Sequence, residues 1–294
     1  MVATDLDGTL LRRDGTLSPR TLRALDAARG GGAEVVVVTA RPPRYLDRLA
    51  TATGLTGTAV CSNGADVYDL ASRAVLSSRV LAPDTVRRVT DALTAAVPGI
   101  AFALETGTRV LFEPAFGLRH AGDEAAEMPV PSREALWRSG VAVTKLLAWS
   151  DSIDADTLMT LARVVAPEWA QVTHSGGPGL LEISAPGVTK ASTLAEVCAG
   201  WSVSAAEVVA FGDMPNDLAV LGWAGAGYAM GNAHPAVLAA TSLRTSTNEE
   251  DGVAAVLERL FGTGTSTGAG TGAGTVLAPA ERAGTAADTQ TTPA

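Results

Sequence analysis

Short apolar runs alternate with helical periodicity at both ends of the chain. Val2 to Thr4 is an apolar stretch ending at Asp5. Ser18-Pro19 supplies an N-cap and a proline at the first helical position, Leu22, Leu25 and Ala28 give that helix an apolar face, and Gly30-Gly31-Gly32 stops it. Val35 to Val38 is an unbroken β-branched run, the pattern of a parallel strand buried on both faces, and Thr58 to Cys61 is a further short candidate. The alternation resumes late. Lys190 to Ala199 predicts a helix, Ser204-Ala205-Ala206-Glu207 a capping box that opens a short turn, and Val208 to Phe211 a buried strand with Asp213 just past its end. Gly227 to Met230, a helix after Pro235, and Val253 to Phe261 complete the set. This alternation predicts an α/β fold with a doubly wound parallel-sheet core.

The middle of the chain has a different rhythm. Pro83 opens a helix carrying Val86, Val89 and Leu93. Ile100 to Leu104 and Arg109 to Phe112 flank Glu105-Thr106-Gly107-Thr108, a hairpin signal. Val141 to Trp149 reads as a strand and Asp156 to Val165 as a helix. Gln171 to His174 and Leu180 to Ser184 flank the turn Gly176-Gly177-Pro178-Gly179. The expectation is an inserted α+β cap over 83–186, between core segments 1–82 and 187–262. Residues 263–294 are rich in Gly, Thr and Ala. They offer too little apolar surface to offset ordering entropy, so a disordered tail is expected there.

Composition narrows the classes. With 47% hydrophobic and 18% charged residues in 294, the chain has the balance of a globular protein and length enough for two domains. No apolar run is long enough to cross a bilayer, and the N-terminus lacks a basic segment followed by an apolar one. Cys61 and Cys198 form no metal or redox spacing and are expected to be reduced and buried, so a cytoplasmic protein is expected. The net charge of −9, with no Lys/Arg cluster, argues against nucleic acid.

The chemistry begins at Asp5-Leu6-Asp7-Gly8-Thr9. Open α/β sheets bind ligands at the carboxyl ends of their strands. A carboxylate there can attack phosphorus, and a second can protonate the leaving oxygen and then activate water. Taken alone, the segment could be a plain polar turn. Thr39 ends the Val35 to Val38 run, Lys190 closes Pro186-Gly187-Val188-Thr189-Lys190, and Gly212-Asp213-Met214-Pro215-Asn216-Asp217 follows the late strand. Each has a bland alternative: Lys190 a solvated lysine at a helix start, Thr39 a strand-end threonine, Asp213 and Asp217 helix-start acids.

In this order the four segments resemble the four motifs of the haloacid dehalogenase superfamily. Ser62-Asn63-Gly64-Ala65, Met230-Gly231-Asn232-Ala233 and the position of the insertion are typical of its Cof-type phosphatase branch with a large C2-type cap. The resemblance covers roughly residues 1–261. It implies a Mg²⁺-dependent phosphatase acting on a small phosphoester through an aspartyl phosphate, with Asp5 as nucleophile and Asp7 as acid and base. It also implies Mg²⁺ held by Asp5, the main-chain carbonyl of Asp7 and Asp213. Thr39, Lys190 and Asn216 would bind phosphate, and Asp217 would orient Lys190 or a metal-bound water. Few protein ligands plus waters and a phosphate oxygen suit Mg²⁺, and phosphoryl transfer needs mainly positioning and charge neutralisation.

Three departures stand out. The second motif reads Thr39-Ala40-Arg41 where the branch usually has Gly in the middle, and Lys190 is followed by Ala191 rather than Gly. Only four residues precede Asp5, where relatives carry a longer first strand. The expectation is a natural start upstream, which a native N-terminal peptide beginning at Met1 or Val2 would refute. Polar residues of the insertion, Arg109, Arg119, His120, His174 and Glu182, are candidates for contacting the leaving group, with a surface position the alternative for the two histidines; of Arg41 and Arg44, one could face the substrate, and the alternative is a solvated helix-start arginine. Trp137, Trp149 and Trp169 are expected to pack. The implied substrate is a sugar phosphate or a phosphorylated vitamin. The alternatives are a phosphomutase using the same aspartates, or a non-catalytic metabolite-binding protein on the same fold. A protein phosphatase is disfavoured, because the large cap excludes a folded partner.

Overall fold

The computed structural model describes residues 1–118, 123–166, 168–176 and 179–262. The expected tail at 263–294, and Arg119 and His120, lie outside the described residues. The described residues build two sheets. The larger contains β1 (Val2–Thr4), β2 (Val35–Val38), β3 (Thr58–Cys61), β4 (Asp66–Asp69), β5 (Ala74–Ser78), β12 (Val209–Gly212), β13 (Ala226–Ala229) and β14 (Leu243–Arg244), in the order β14-β13-β12-β1-β2-β3-β4-β5. From β14 to β3 all pairings are parallel; β4 and β5 add an antiparallel edge. Strand order reverses at β1, which lies between β2 and β12. That is the switch point at which an open α/β sheet leaves a crevice.

Helices α1 (Pro19–Gly30), α2 (Pro43–Thr53), α6 (Lys190–Gly200), α7 (Leu218–Trp223), α8 (Pro235–Ala240) and α9 (Gly252–Phe261) accompany this sheet. Ser18 caps α1 by accepting from the Thr21 N–H at 2.9 Å, with Pro19 at its start, as the sequence predicts. Val36, Ala59 and Ala210 are fully buried in the same core as Leu25 of α1, Leu194 of α6 and Leu257 of α9.

The second sheet contains β6 (Ala101–Glu105), β7 (Val110–Phe112), β8 (Glu127–Pro129), β9 (Lys145–Trp149), β10 (Gln171–Thr173) and β11 (Leu180–Ser184), in the order β10-β11-β9-β6-β7-β8. It is antiparallel apart from the β7–β8 pair. With α3 (Pro83–Ala96), α4 (Arg133–Arg138) and α5 (Ala155–Val165) it forms the inserted α+β cap. The strands of both expected hairpins pair antiparallel, β6 with β7 and β10 with β11; residues 177 and 178 of the second turn lie outside the described residues. The strand expected from Val141 begins at Lys145; before it, Val143 makes only an isolated bridge to Leu81. Side chains alternate across the sheet. Phe102, Leu104, Leu146 and Leu181 pack with Val89 and Leu93 of α3 and Leu158 of α5. Ala101, Ala103, Leu147 and Leu180 form a separate apolar cluster with Phe112 and Phe116. Trp137 packs against Phe102, Trp149 against Phe116, and Trp169 under the Arg88 guanidinium, so all three tryptophans pack as expected. Cys61 and Cys198 are free and buried. Among the described residues no helix is long and apolar enough to cross a membrane.

Candidate active site

Four adjacent parallel strands, β3, β2, β1 and β12, deliver the motif residues to one edge of the sheet. Asp5 follows β1, Thr39 follows β2, Ser62 and Asn63 follow β3, and Asp213 follows β12. Lys190 opens α6 and reaches in from the side. Its ammonium donates to Asp5 Oδ1 at 2.8 Å and to Asp217 Oδ1 at 2.7 Å. The Lys190 side chain is only 1% exposed, so the reading of a solvated helix-start lysine is excluded.

Asp217 sits in the short turn Pro215–Asp217. Its Oδ2 accepts from the backbone N–H groups of Asp213 and Met214, each at 3.0 Å, which fixes the loop carrying Asp213. Asp213 accepts from the Thr9 hydroxyl at 2.7 Å, and its carbonyl accepts from the His234 N–H at 2.8 Å. Gly212 permits this packing, because a Cβ there would lie 2.4 Å from Asp217 Cβ.

Electrostatics follow from the arrangement. Burial raises the Asp5 carboxyl well above its ordinary range; Lys190 opposes the shift, and Asp217 and Asp213 add to it. Asp213 is pushed up to about 7, first by burial and then by Asp217, against the Thr9 hydrogen bond and Lys190. Burial works against the Lys190 charge, but Asp217 and Asp5 together outweigh it and hold the ammonium above its usual range. Beyond burial, the crowding of acidic groups around one ammonium raises Asp5 and Asp213 and holds the proton on Lys190. Ionised, the group leaves two negative charges uncompensated. Ligand oxygens of Asp5, Asp213 and Asp217 lie within 4.8 Å of one another, a donor set and a charge that fit a divalent cation.

Asp7 is turned differently. Its carboxylate is half exposed and clasped by the Arg41 guanidinium through Nη2 and, at 2.6 Å, Nε. Thr39 is buried and accepts from the Arg41 N–H at 3.1 Å. Asn216 donates to Asn63 Oδ1 at 3.0 Å, while its own Oδ1 is buried without a partner among the described residues. The flanking motifs support this framework. Ser62 and Asn63 both have positive φ, 51° and 57°, and Asn232 donates to the Gly8 carbonyl at 2.8 Å.

A cavity of about 750 Å³ runs from Asp5, Asp7 and Asn216 to the apolar cap face of Phe112, Phe116, Leu147 and Leu180. Arg41 and Arg44 both line it. Arg44 binds both oxygens of Glu105 (2.6 and 2.8 Å) and both of Asp123 (2.7 Å each), so core and cap meet in a three-residue ion cluster. Glu182 lines the cavity, whereas Arg109 is exposed and His174 is buried against Asp156 at 3.1 Å; neither lines it. His234 Nε2 lies 3.2 Å from the other oxygen of Asp156, a second link from core to cap. Glu105, Asp123 and Lys145, which line the cavity with Glu182, belong to none of the four sequence motifs. Period-two alternation along β9 places Lys145 with Leu147 and Trp149 on one face; only the folded sheet shows that this face overlies the site.

These features define an α/β protein with an inserted α+β cap and a buried acidic site at the switch point of its sheet. The sequence profile of the haloacid dehalogenase-like hydrolases matches residues 2–257. The chain is 30% identical over 277 residues to the 5-amino-6-(5-phospho-D-ribitylamino)uracil phosphatase YitU of Bacillus subtilis (strain 168), spanning 89% of this chain and 97% of that protein. It is 28% identical over 264 residues to the pyridoxal phosphate phosphatase YbhA of Escherichia coli (strain K12), spanning 86% and 96%. The crystal structure of a haloacid dehalogenase-like hydrolase from Bacteroides thetaiotaomicron superposes with a TM-score of 0.70 at 26% identity, covering 88% of this chain and 98% of that one. The chain belongs to the haloacid dehalogenase-like hydrolase family and is a phosphatase of that family.

Proposed function

We propose that the protein hydrolyses a small phosphomonoester, a sugar phosphate or a phosphorylated vitamin, through a phosphoryl group carried on Asp5 with Mg²⁺ as cofactor. The observation that carries this reading is the buried Lys190 held between Asp5 and Asp217 beside Asp213. In this reading a carboxylate oxygen of Asp5 attacks phosphorus and the bond to the leaving oxygen breaks. Asp7, on the cavity side, gives its proton to that oxygen. It then takes a proton from the water that attacks the aspartyl phosphate, releasing inorganic phosphate and restoring Asp5. Thr39 donates its hydroxyl to a phosphoryl oxygen, Asn216 adds an amide, and Lys190 offsets the phosphoryl charge. Asp217 acts through Lys190 and through the two loop N–H groups that it accepts from.

Mg²⁺, held by Asp5, Asp213 and the Asp7 carbonyl, would neutralise charge on the nucleophile and the phosphoryl group. The cap, taken as residues 83–186, closes over the leaving group and selects it. The cavity has the size of a small-molecule site, and two relatives act on phosphorylated heterocycles by their names. Two free, buried cysteines accord with work in the cytoplasm. The test is phosphate release from sugar phosphates, pyridoxal phosphate, flavin mononucleotide and p-nitrophenyl phosphate, with and without Mg²⁺. Mg²⁺-dependent release that disappears in Asp5→Asn is expected; release unaffected by that substitution would sink the reading.

A further inference from the structure

The turn after β2 carries three successive carbonyl groups that point to three different partners. The Thr39 carbonyl accepts from the Asn63 N–H at 3.1 Å, and the Arg41 carbonyl from the Ser62 N–H at 3.0 Å. Both partners belong to the core. The Ala40 carbonyl between them is held from the cap: Lys145, the first residue of β9, donates to it from Nζ at 2.9 Å.

The Ala40 carbonyl and the Arg41 N–H belong to one peptide unit, which is planar and stiff. Fixing one end fixes the other. The Arg41 N–H donates to Thr39 Oγ1, so that hydroxyl is held as an acceptor by the backbone and its own proton is directed elsewhere. An ammonium on the carbonyl also polarises the amide and strengthens its N–H as a donor. The chain of contacts runs from a cap lysine through one peptide to the hydroxyl of the second motif.

Lys145 can occupy this place because its charge is balanced. Its side chain is 5% exposed, and it also donates to Glu182 of the neighbouring strand β11, 4% exposed. Burial works against the Glu182 charge, but Lys145 outweighs it and holds the carboxyl below its ordinary range.

We propose that Lys145 is a positioning residue for phosphoryl transfer, which holds the Ala40–Arg41 peptide from the cap and through it sets the Thr39 hydroxyl to receive the phosphoryl group. Cap closure and assembly of the phosphate site are then one event. The proposal rests on the phosphatase reading above.

The test is a double-mutant cycle between Lys145 and Thr39. Lys145→Met is made together with Glu182→Gln, so that no buried charge is left alone, with Thr39 intact and as Thr39→Val. Turnover of p-nitrophenyl phosphate, affinity for inorganic phosphate and Tm are measured. With Thr39 intact, kcat should fall about ten-fold or more and phosphate should bind several-fold more weakly. In the Thr39→Val background the same pair should add less than about two-fold. Equal losses in both backgrounds, or an unchanged kcat, would reduce Lys145 to a strut of the cap sheet and overturn the proposal. If the neutral pair does not fold, Lys145→Arg, which keeps the charge and displaces the donor, takes its place in the cycle. If the wild type binds phosphate but hydrolyses none of the esters, the phosphatase reading fails, and the cycle in phosphate affinity still decides the role of Lys145. If it does neither, both fail.

Discussion

A Cβ placed on Gly8 would lie 2.3 Å from Asp213 Oδ2, a carboxylate 205 positions further along the chain. The first and fourth motifs are therefore in van der Waals contact through a glycine, and Gly8 also adopts φ +75°. Gly8→Ala should displace Asp213 and abolish metal-dependent turnover. Gly15 separates the two causes, since it has φ +78° but a Cβ placed on it would meet nothing within 4 Å. Gly15→Ala should lower stability by only about 1–2 kcal/mol, the cost of the left-handed conformation. Phosphate release and urea unfolding of both variants check this; equal loss of activity in the two would contradict the contact argument.

The raised carboxyls make metal-free stability pH-dependent. Asp213 is pushed up to about 7 and Asp5 is raised as well. Below the ordinary carboxylate range both folded and unfolded chains hold these protons. Above it the unfolded chain releases them while the folded site keeps them, so their contribution to stability falls as pH rises, and the Asp213 part levels off past about 7. A divalent cation competes with those protons, so its stabilising effect should grow over the same range. Tm measured from pH 5 to 8, in chelator and in excess Mg²⁺, tests this. The two curves should diverge with rising pH and the divergence should shrink in Asp213→Asn; parallel curves would contradict it.

Asp217 receives three donors, the N–H groups of Asp213 and Met214 and the Lys190 ammonium. Asp217→Asn weakens charge-assisted bonds and turns an acceptor into a donor at one of these contacts. A loss on the order of 2 kcal/mol is expected in urea unfolding, together with a lower kcat. Unchanged stability would show that the loop holds Asp213 without it.

Arg44 neutralises Glu105 and Asp123 at the junction of core and cap, and both side chains are almost wholly buried. Arg44→Met leaves two carboxylates without this partner and should cost about 3–5 kcal/mol. Adding Glu105→Gln and Asp123→Asn should recover part of that loss. A triple variant no more stable than the single one would contradict the charge argument.

The core was legible because burial on both faces leaves an unbroken signature, as at Val35–Val38, and because Ser18-Pro19 carries its own capping chemistry. The motifs at Asp5, Thr39, Lys190 and Asp213 were legible from order and spacing, and parallel topology brings their strands side by side. The β4–β5 hairpin left no such mark: Val75 and Leu76 are exposed, so no face of β5 is patterned by burial. Lys145 was illegible for another reason. Its partner Ala40 is 105 positions away and contributes only a carbonyl oxygen, which any residue type supplies. Arg44 likewise reads as a helix-start arginine until its two acidic partners are brought across from the cap.

The most direct measurement is acid-quenched peptide mass spectrometry of the enzyme mixed with Mg²⁺ and a turned-over phosphoester. One phosphoryl group is expected on the peptide containing Asp5, lost on longer incubation as inorganic phosphate appears, and absent in Asp5→Asn. Turnover without any phosphorylated enzyme, or with the phosphoryl group on another residue, would contradict it.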